Sequence, residues 1–342
     1  MRRFLSYRFL QFLLIGSALV LFLAACDNPA GSDSIGGGGG PAFGDGRVVA
    51  PFLSSSITYG DGLFVAVGAS DQVMTSADGI NWTEQQGGGD SDVDWVSVAY
   101  GGGRFVAVGS GFINANRVMT STDGENWTAG PAPNITLNSI AYGNDKFVAV
   151  SGRGTSTVMT SPNGVDWTSQ DAAENLELWG SVTYGDGLFV VVGVVNDENP
   201  NGVMTSPDGI NWTAREAAEQ DDWLSVTYGD GMFVALGWDG GLMTSPNGIE
   251  WTAREAVGQT RWRSVTHGGG LFVAVGSDSI QHFGSEQAQV MTSTDGITWT
   301  GKDRAASETL FDWTSVTYGD GKFVAVGWYD FDDAVMYAEL NP

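Results

Sequence analysis

Cysteine is almost missing from this chain: 342 residues contain one, Cys26. Without a second cysteine no intramolecular disulfide can form, so burial has to supply the stability. Histidine is nearly as scarce, with only His267 and His282, and no zinc-type spacing of ligands occurs. Basic residues are few, 15 Lys and Arg against 40 Asp and Glu, for a net charge of −25. That imbalance repels phosphate backbones and excludes nucleic acid as a partner, while leaving a basic segment or a cation open.

One long apolar run is present, Phe9–Leu23, preceded by Met1-Arg2-Arg3 and followed by Leu23-Ala24-Ala25-Cys26. A positive start, an apolar stretch and small residues before a break describe an export signal over residues 1–26. The Leu-Ala-Ala-Cys ending resembles the lipobox of bacterial lipoproteins. The resemblance implies that Cys26 is lipidated and that the protein is held at the bacterial cell envelope, on the periplasmic or the surface side. Residues 27–46 are rich in Gly, Ser, Asp and Pro, with five glycines at Gly36–Gly40. Such a segment buries too little apolar surface to fold and is expected to be a flexible tether.

From Arg47 to Pro342 the chain is a repeat. The phrase Tyr-Gly-Asp-Gly-Leu-Phe-Val-Ala-Val-Gly begins at Tyr59 and returns at Tyr100, Tyr142, Tyr184, Tyr228, His267 and Tyr318. A second phrase, Val-Met-Thr-Ser-x-Asp-Gly-x-x-Trp-Thr, follows, first at Val73–Thr83. A period of about 43 residues with turn signals inside each unit marks a repeat architecture. Each unit reads as four short strands: an alternating run such as Trp95–Tyr100, a continuous apolar run such as Phe105–Val108, then two more, joined by Gly- and Asp-Gly-rich reversals. Regular short strands with one set of aromatics per unit predict an all-β propeller of four-stranded antiparallel blades.

The Phe-Val phrase and the third-strand methionine each occur seven times, so the expectation is seven blades. The Asp-Gly-x-x-Trp turn, with Asn for Asp in two copies, occurs six times, ending at Trp299, and the last unit stops before its fourth strand. Arg47–Pro51 is strand-like without a unit of its own, and is expected to complete the last blade and close the ring over residues 47–342. Six tryptophans end the turn phrase and five open the first strand (Trp95, Trp179, Trp223, Trp262 and Trp313), as packing residues between blades.

The Ser-x-Asp-Gly-x-x-Trp turn, as in Ser206–Trp212, resembles the Asp-box of sialidase-type (BNR-like) repeat propellers, with one residue fewer between acid and glycine. The resemblance implies a structural hairpin, with Asp78, Asp123, Asn163, Asp208, Asn247 and Asp295 bonding amides of their own turns. Seven such blades behind a lipoprotein signal are also distantly similar to the photosystem II assembly-factor propellers. The sialidase likeness does not extend to catalysis, because the Arg-Ile-Pro signature is absent and no nucleophile or His cluster stands in its place. No cofactor is implied and an enzyme is not expected.

Strand direction puts the one-to-two and three-to-four turns on one face and the variable two-to-three and four-to-one loops on the other. Recognition normally sits on such variable loops. They contain Asp90, Asp92 and Asp94; Asp197 and Glu198; Asp221 and Asp222; Trp238; His282 and Phe283; and Trp328, Tyr329, Asp330, Phe331, Asp332 and Asp333. Asp90-x-Asp92-x-Asp94 has the spacing of the first calcium ligands of an EF-hand, but Trp95 replaces the required glycine, leaving at most a weak Ca²⁺ site. The expected function is a monomeric, non-catalytic binding or assembly module with a protein partner. A carbohydrate-binding or divergent glycosidase-type propeller is the alternative.

Overall fold

Each repeat folds as a four-stranded antiparallel meander, and the second one shows why. Its strands are Val93–Gly101, Arg104–Gly111, Val118–Ser121 and Thr128–Gly130. Tyr100 pairs with Phe105 and Gly101 with Arg104, leaving Gly102 and Gly103, at φ 56° and 76°, as a two-residue turn. Other repeats place Asp61, Asp186, Asp230 or Asp320 at the first turn position, all with positive φ, a region that Asp tolerates better than most residues. The continuous apolar run is explained by its two neighbours. Phe105 and Ala107 pack with Val65 and Val67 of the preceding blade, while Val106 and Val108 pack with Ile140 and Phe147 of the following one.

The structure is a computed structural model. It describes residues 47–48, 54–89, 92–111, 117–130, 135–151, 157–173, 179–195, 201–258, 261–277, 290–302, 312–329 and 332–339. The export signal, Cys26 and the tether lie outside the described residues.

Six blades are each built from four consecutive strands, and they carry the six Gly-x-x-Trp turns, four with Asp and two with Asn before the glycine. A further four-stranded sheet is composite: Asp312–Gly319, Lys322–Tyr329 and Asp332–Glu339 are joined by Arg47–Val48, which pairs through Arg47 with Val335 and through Val48 with Ala334. The expectation of a seven-bladed propeller is corrected to this extent. Six blades are self-contained units, and the remaining sheet exists only because the two ends of the fold meet in it. The edge of Asp332–Glu339 that a fourth strand occupies in the other sheets is taken here by Arg47–Val48.

Two sets of contacts run around the ring. In every sheet a β-bulge follows the residue at the tryptophan position of the inner strand, and it turns a serine hydroxyl toward the next blade. Ser56 accepts the N–H of Val98, Ser97 that of Ile140, Ser139 that of Val182 and Ser181 that of Val226, at 3.1–3.3 Å. Ser225 accepts from Val265, Ser264 from Val316 and Ser315 from Ile57, closing the circle. At the other end of the same strands, a glycine of one blade lies against the aromatic ring of the next, from Gly60 on Tyr100 around to Gly319 on Tyr59. His267 takes the tyrosine place against Gly229.

The six outer turns share one hydrogen-bond network. Asp208 Oδ1 accepts the N–H groups of Ile210 and Asn211, both at 2.8 Å, and the Ser206 hydroxyl at 2.9 Å. Ser206 Oγ accepts from Gly209 N–H, and Trp212 Nε1 donates to the Gly209 carbonyl. Asn163 and Asn247 accept the equivalent pair of amides through Oδ1. Hydrogen bonds from Asn81, Asn126 and Asn211 hold Asp78, Asp123 and Asp208 well below the usual carboxylate range. Because the folded value is depressed, the contribution is present above the unfolded carboxyl range and is lost as pH falls through the folded value. Asparagine fills the position twice, so Asp208→Asn keeps the Oδ1 acceptor, but it loses the charge and the Asn211 Nδ2 bond to Oδ2 and should cost about 0.5 kcal/mol at neutral pH, less than loss of the acceptor. Asp208→Ala leaves the amides of Ile210 and Asn211 without their acceptor and should cost about 1 kcal/mol, the size of losing a helix cap. Urea denaturation of both variants checks this, with equal losses as the contrary result.

Candidate interaction face

The ring presents two unlike faces. One carries the uniform reversals, with exposed Asp61, Asp145, Asp186, Asp230 and Asp320 in its inner turns. There His267 Nε2 lies 3.1 Å from Asp230 Oδ2, at ion-pair distance but without hydrogen-bonding geometry. The other face carries the loops that differ from blade to blade.

At the junction of the first two blades, Asp71 has φ 60° and its Oδ1 accepts Trp95 Nε1 at 2.8 Å and Gly89 N–H at 3.0 Å. Asp94 Oδ1 accepts Ser70 N–H at 3.1 Å, and Asp92 is exposed. Asp90 lies outside the described residues. Asp94 is thus engaged in holding a loop, and among the described residues no group of three or more acids, histidines or cysteines converges as a metal cage does.

Blade five is more fully built. Asp221 is 8% exposed and accepts three amides, from Asp222 at 2.6 Å, Gly241 at 2.8 Å and Asp239 at 3.0 Å. Its own carbonyl accepts Val195 N–H from blade four, and the Asp222 carbonyl accepts Trp238 N–H. Asp221 therefore organises the face from below rather than lying on it. The sequence suggested an exposed acid because Asp221 adjoins polar Gln220 and Asp222, and the three amides that bury it come from elsewhere in the chain and from its neighbour. A Cβ on Gly237 or Gly241 would stand 2.3–2.4 Å from the Asp221 carboxyl group, which is why this connection is glycine-bound. Asp222 stays exposed, and burial, with the charges of Asp221 and Asp239, raises its carboxyl above the ordinary value. Glu219 is raised by burial and by Asp221.

Trp238 is half-buried, and the guanidinium carbons of Arg261 and Arg263 lie 4.8 and 4.3 Å from its ring centroid. Burial pushes the Arg263 guanidinium down from its ordinary value, the Arg261 charge adds to that, and Asp312 opposes it. Sequence reading singled out Trp238 but missed both arginines and Asp71. One signal was available: Arg261 stands where three other inner strands carry Asp94, Asp222 and Asp312.

Asp197, Glu198, His282, Phe283, Asp330 and Phe331 lie outside the described residues. Trp328 and Tyr329 extend the second strand of the composite sheet and pair with Asp333 and Asp332. The loop expected at Trp328–Asp333 is therefore largely strand.

These features define a β-propeller with one uniform face and one individualised face. Residues 56–178 match the family model described as the DUF6242 beta propeller domain. No curated protein sequence matches the chain. Among solved structures, YCF48 bound to D1 peptide has 14% identity and a TM-score of 0.64, covering 87% of this chain and 95% of that one. Virginiamycin B lyase from Staphylococcus aureus has 11% identity and a TM-score of 0.66, covering 87% and 99%. U3-55K has 11% identity and a TM-score of 0.63, covering 88% and 100%. At such identities these likenesses concern the fold alone.

Proposed function

We propose that this protein is a non-catalytic binding or assembly module, tethered at the bacterial envelope through lipidated Cys26, that docks a protein partner on its variable face. The observation that carries the reading is the division of the ring. The serine and glycine–aromatic circles fix the blades, the turn face repeats, and only the opposite face differs from blade to blade. Trp238, Arg261, Arg263, Asp222, Asp239 and Asp92 give that face aromatic and charged groups of both signs, as protein interfaces use. The peptide bound by YCF48 supports the reading, because it shows a propeller of this architecture occupied by a polypeptide.

Affinity capture from solubilised envelopes tests it with two variants of the intact protein. One carries Trp238→Ala, Asp222→Asn and Asp92→Asn on the variable face. The other carries Asp61→Asn, Asp186→Asn and Asp230→Asn on the turn face, positions whose positive φ asparagine accepts. A partner held by the native protein and the turn-face variant, and at least about tenfold depleted with the variable-face variant, is the expected result. Depletion with the turn-face variant alone would overturn the assignment of the face, and retention of a glycan in place of a protein would overturn the class of partner.

A further inference from the structure

The positive site on the variable face is specific to one blade. The inner strand of the sixth blade, Arg261–Gly268, begins Arg-Trp-Arg. Trp262 is fully buried among Val234, Leu236 and Leu242 of the fifth blade. Arg261 precedes it in the ladder, opposite Ser277, and the β-bulge that follows Trp262 leaves Arg263 without a ladder partner. Both guanidiniums then meet Trp238, which the fifth blade's loop brings over and which the Asp222 carbonyl anchors through the Trp238 N–H. The corresponding positions elsewhere carry no such pair. In place of Arg263 the other blades have Ser55, Val96, Asn138, Gly180, Leu224 and Thr314.

Neither guanidinium makes a hydrogen bond or an ion pair among the described residues, whose ion pairs are His267–Asp230 and Lys322–Asp320. Each guanidinium has five N–H donors in a planar fork. Stacking on an indole leaves the edges of that fork open, and a half-buried cation with open donors favours an anion that can fill them. The surroundings select among anions. Asp312 acts on Arg263 from one side, Asp239 stands on the Trp238 loop, and Asp222, just before Trp223, holds the Trp238 amide through its carbonyl. A dianionic phosphate would meet about twice the repulsion from these carboxylates that a monoanion meets. A carboxylate is also planar and matches the fork through two parallel bonds.

We propose that the Arg261–Trp238–Arg263 stack is a carboxylate-binding site that takes a carboxyl group of the docked partner. This deepens the protein-partner reading and rests on it for the source of the carboxylate, but the site itself can be read without a partner. Asp221, through its amide bonds from Asp239 and Gly241, holds the loop that carries Trp238.

The test is a titration of the native protein followed by the arginine Nε–Hε and tryptophan Nε1–Hε1 resonances. The probes are acetyl-glutamyl amide, acetyl-glycyl-glycine with a free C-terminus, glucuronate and inorganic phosphate. Saturable shifts of Arg261, Arg263 and Trp238 with the carboxylates, weakening as salt is raised, are expected. Affinity should fall about tenfold in Arg261→Gln, and also in Arg263→Lys, which keeps the charge but loses the fork. The amide spectrum of each variant reports whether it remains folded, and the native titration stands whether or not it does. A response to the side-chain probe alone, to the C-terminal probe alone, or to both identifies which peptide carboxylate the site takes. Tighter binding of glucuronate would overturn the peptide source, and tighter binding of phosphate would overturn the carboxylate assignment. No saturable shift with any probe would overturn the site, while a partner still captured through the variable face would leave the docking reading standing.

Discussion

Gly143→Ala is expected to lower the unfolding free energy by about 1–3 kcal/mol, the usual range for overpacking a close-packed interior. A Cβ at Gly143 would lie 2.1 Å from Cγ and 2.4 Å from Cδ1 of Tyr184. Neither atom can withdraw easily. Tyr184 sits on an inner strand and its ring packs tilted against Phe189, centroids 4.6 Å apart, within a cluster that also holds Val182 and Trp179. Backbone strain does not contribute, since Gly143 lacks the positive φ of the turn glycines. Gly187 provides the contrast: its φ is 75° and nothing stands within 4 Å of a Cβ there. Gly187→Asn should therefore cost little, whereas Gly143→Asn should exceed Gly143→Ala. A double-mutant cycle with Tyr184→Gly isolates the contact: Tyr184 Cβ would itself stand 2.5 Å from the new Cβ, so the cost of Gly143→Ala should largely vanish only once the whole side chain is gone. Additive losses in that cycle would show that the damage lies elsewhere.

Trp223→Ala should be more severe, with a loss of about 3–5 kcal/mol. The side chain is fully buried between Val190, Val192 and Val203 of the fourth blade and Val226 and Phe233 of the fifth. Its removal would open a void across the blade junction on which the Trp238 loop rests. The indole nitrogen sharpens the prediction. Trp95 Nε1 donates to Asp71, whereas the buried Nε1 atoms of Trp179, Trp223 and Trp262 have no hydrogen-bond partner among the described residues. Replacement by phenylalanine removes an unsatisfied donor at Trp223 but breaks a made bond at Trp95. Trp95→Phe should therefore be the more destabilising by about 1 kcal/mol. Urea midpoints at constant slope measure both, and equal costs would show that ring volume alone governs these positions.

Much of this architecture was legible because it repeats. A turn such as Asp-Gly or Gly-Gly between apolar runs has one good backbone solution, and six or seven copies of it cannot all be accidental. The continuous Phe-Val-Ala-Val runs read correctly as strands buried on both faces. The unfinished last repeat and the spare segment at Arg47 read correctly as one sheet, since unpaired edges are costly. The individual site was far less legible. Asp221 looked like a loop acid and is a buried anchor, because its acceptors meet amides supplied by the Trp238 loop some twenty positions away. Trp328–Asp333 looked like a loop and is largely paired strand, because one hairpin can lengthen without any change of repeat phrase. Asp94 was spaced for calcium and instead accepts Ser70 N–H.

Period, turn chemistry and burial pattern are properties of neighbouring residues, so the amino-acid sequence by itself determined an all-β repeat of four-stranded blades and the closing of its ends. Contacts between blades depend on where the bulges turn the chain and on which residues lie opposite across about 40 positions of sequence. The tertiary structure alone therefore decided that serine hydroxyls and glycine–aromatic contacts lock the ring. It alone brought Trp238 of one blade onto Arg261 and Arg263 of the next. The physical reason is the same in both cases: a strand fixes which way a side chain points, but only packing fixes what it meets.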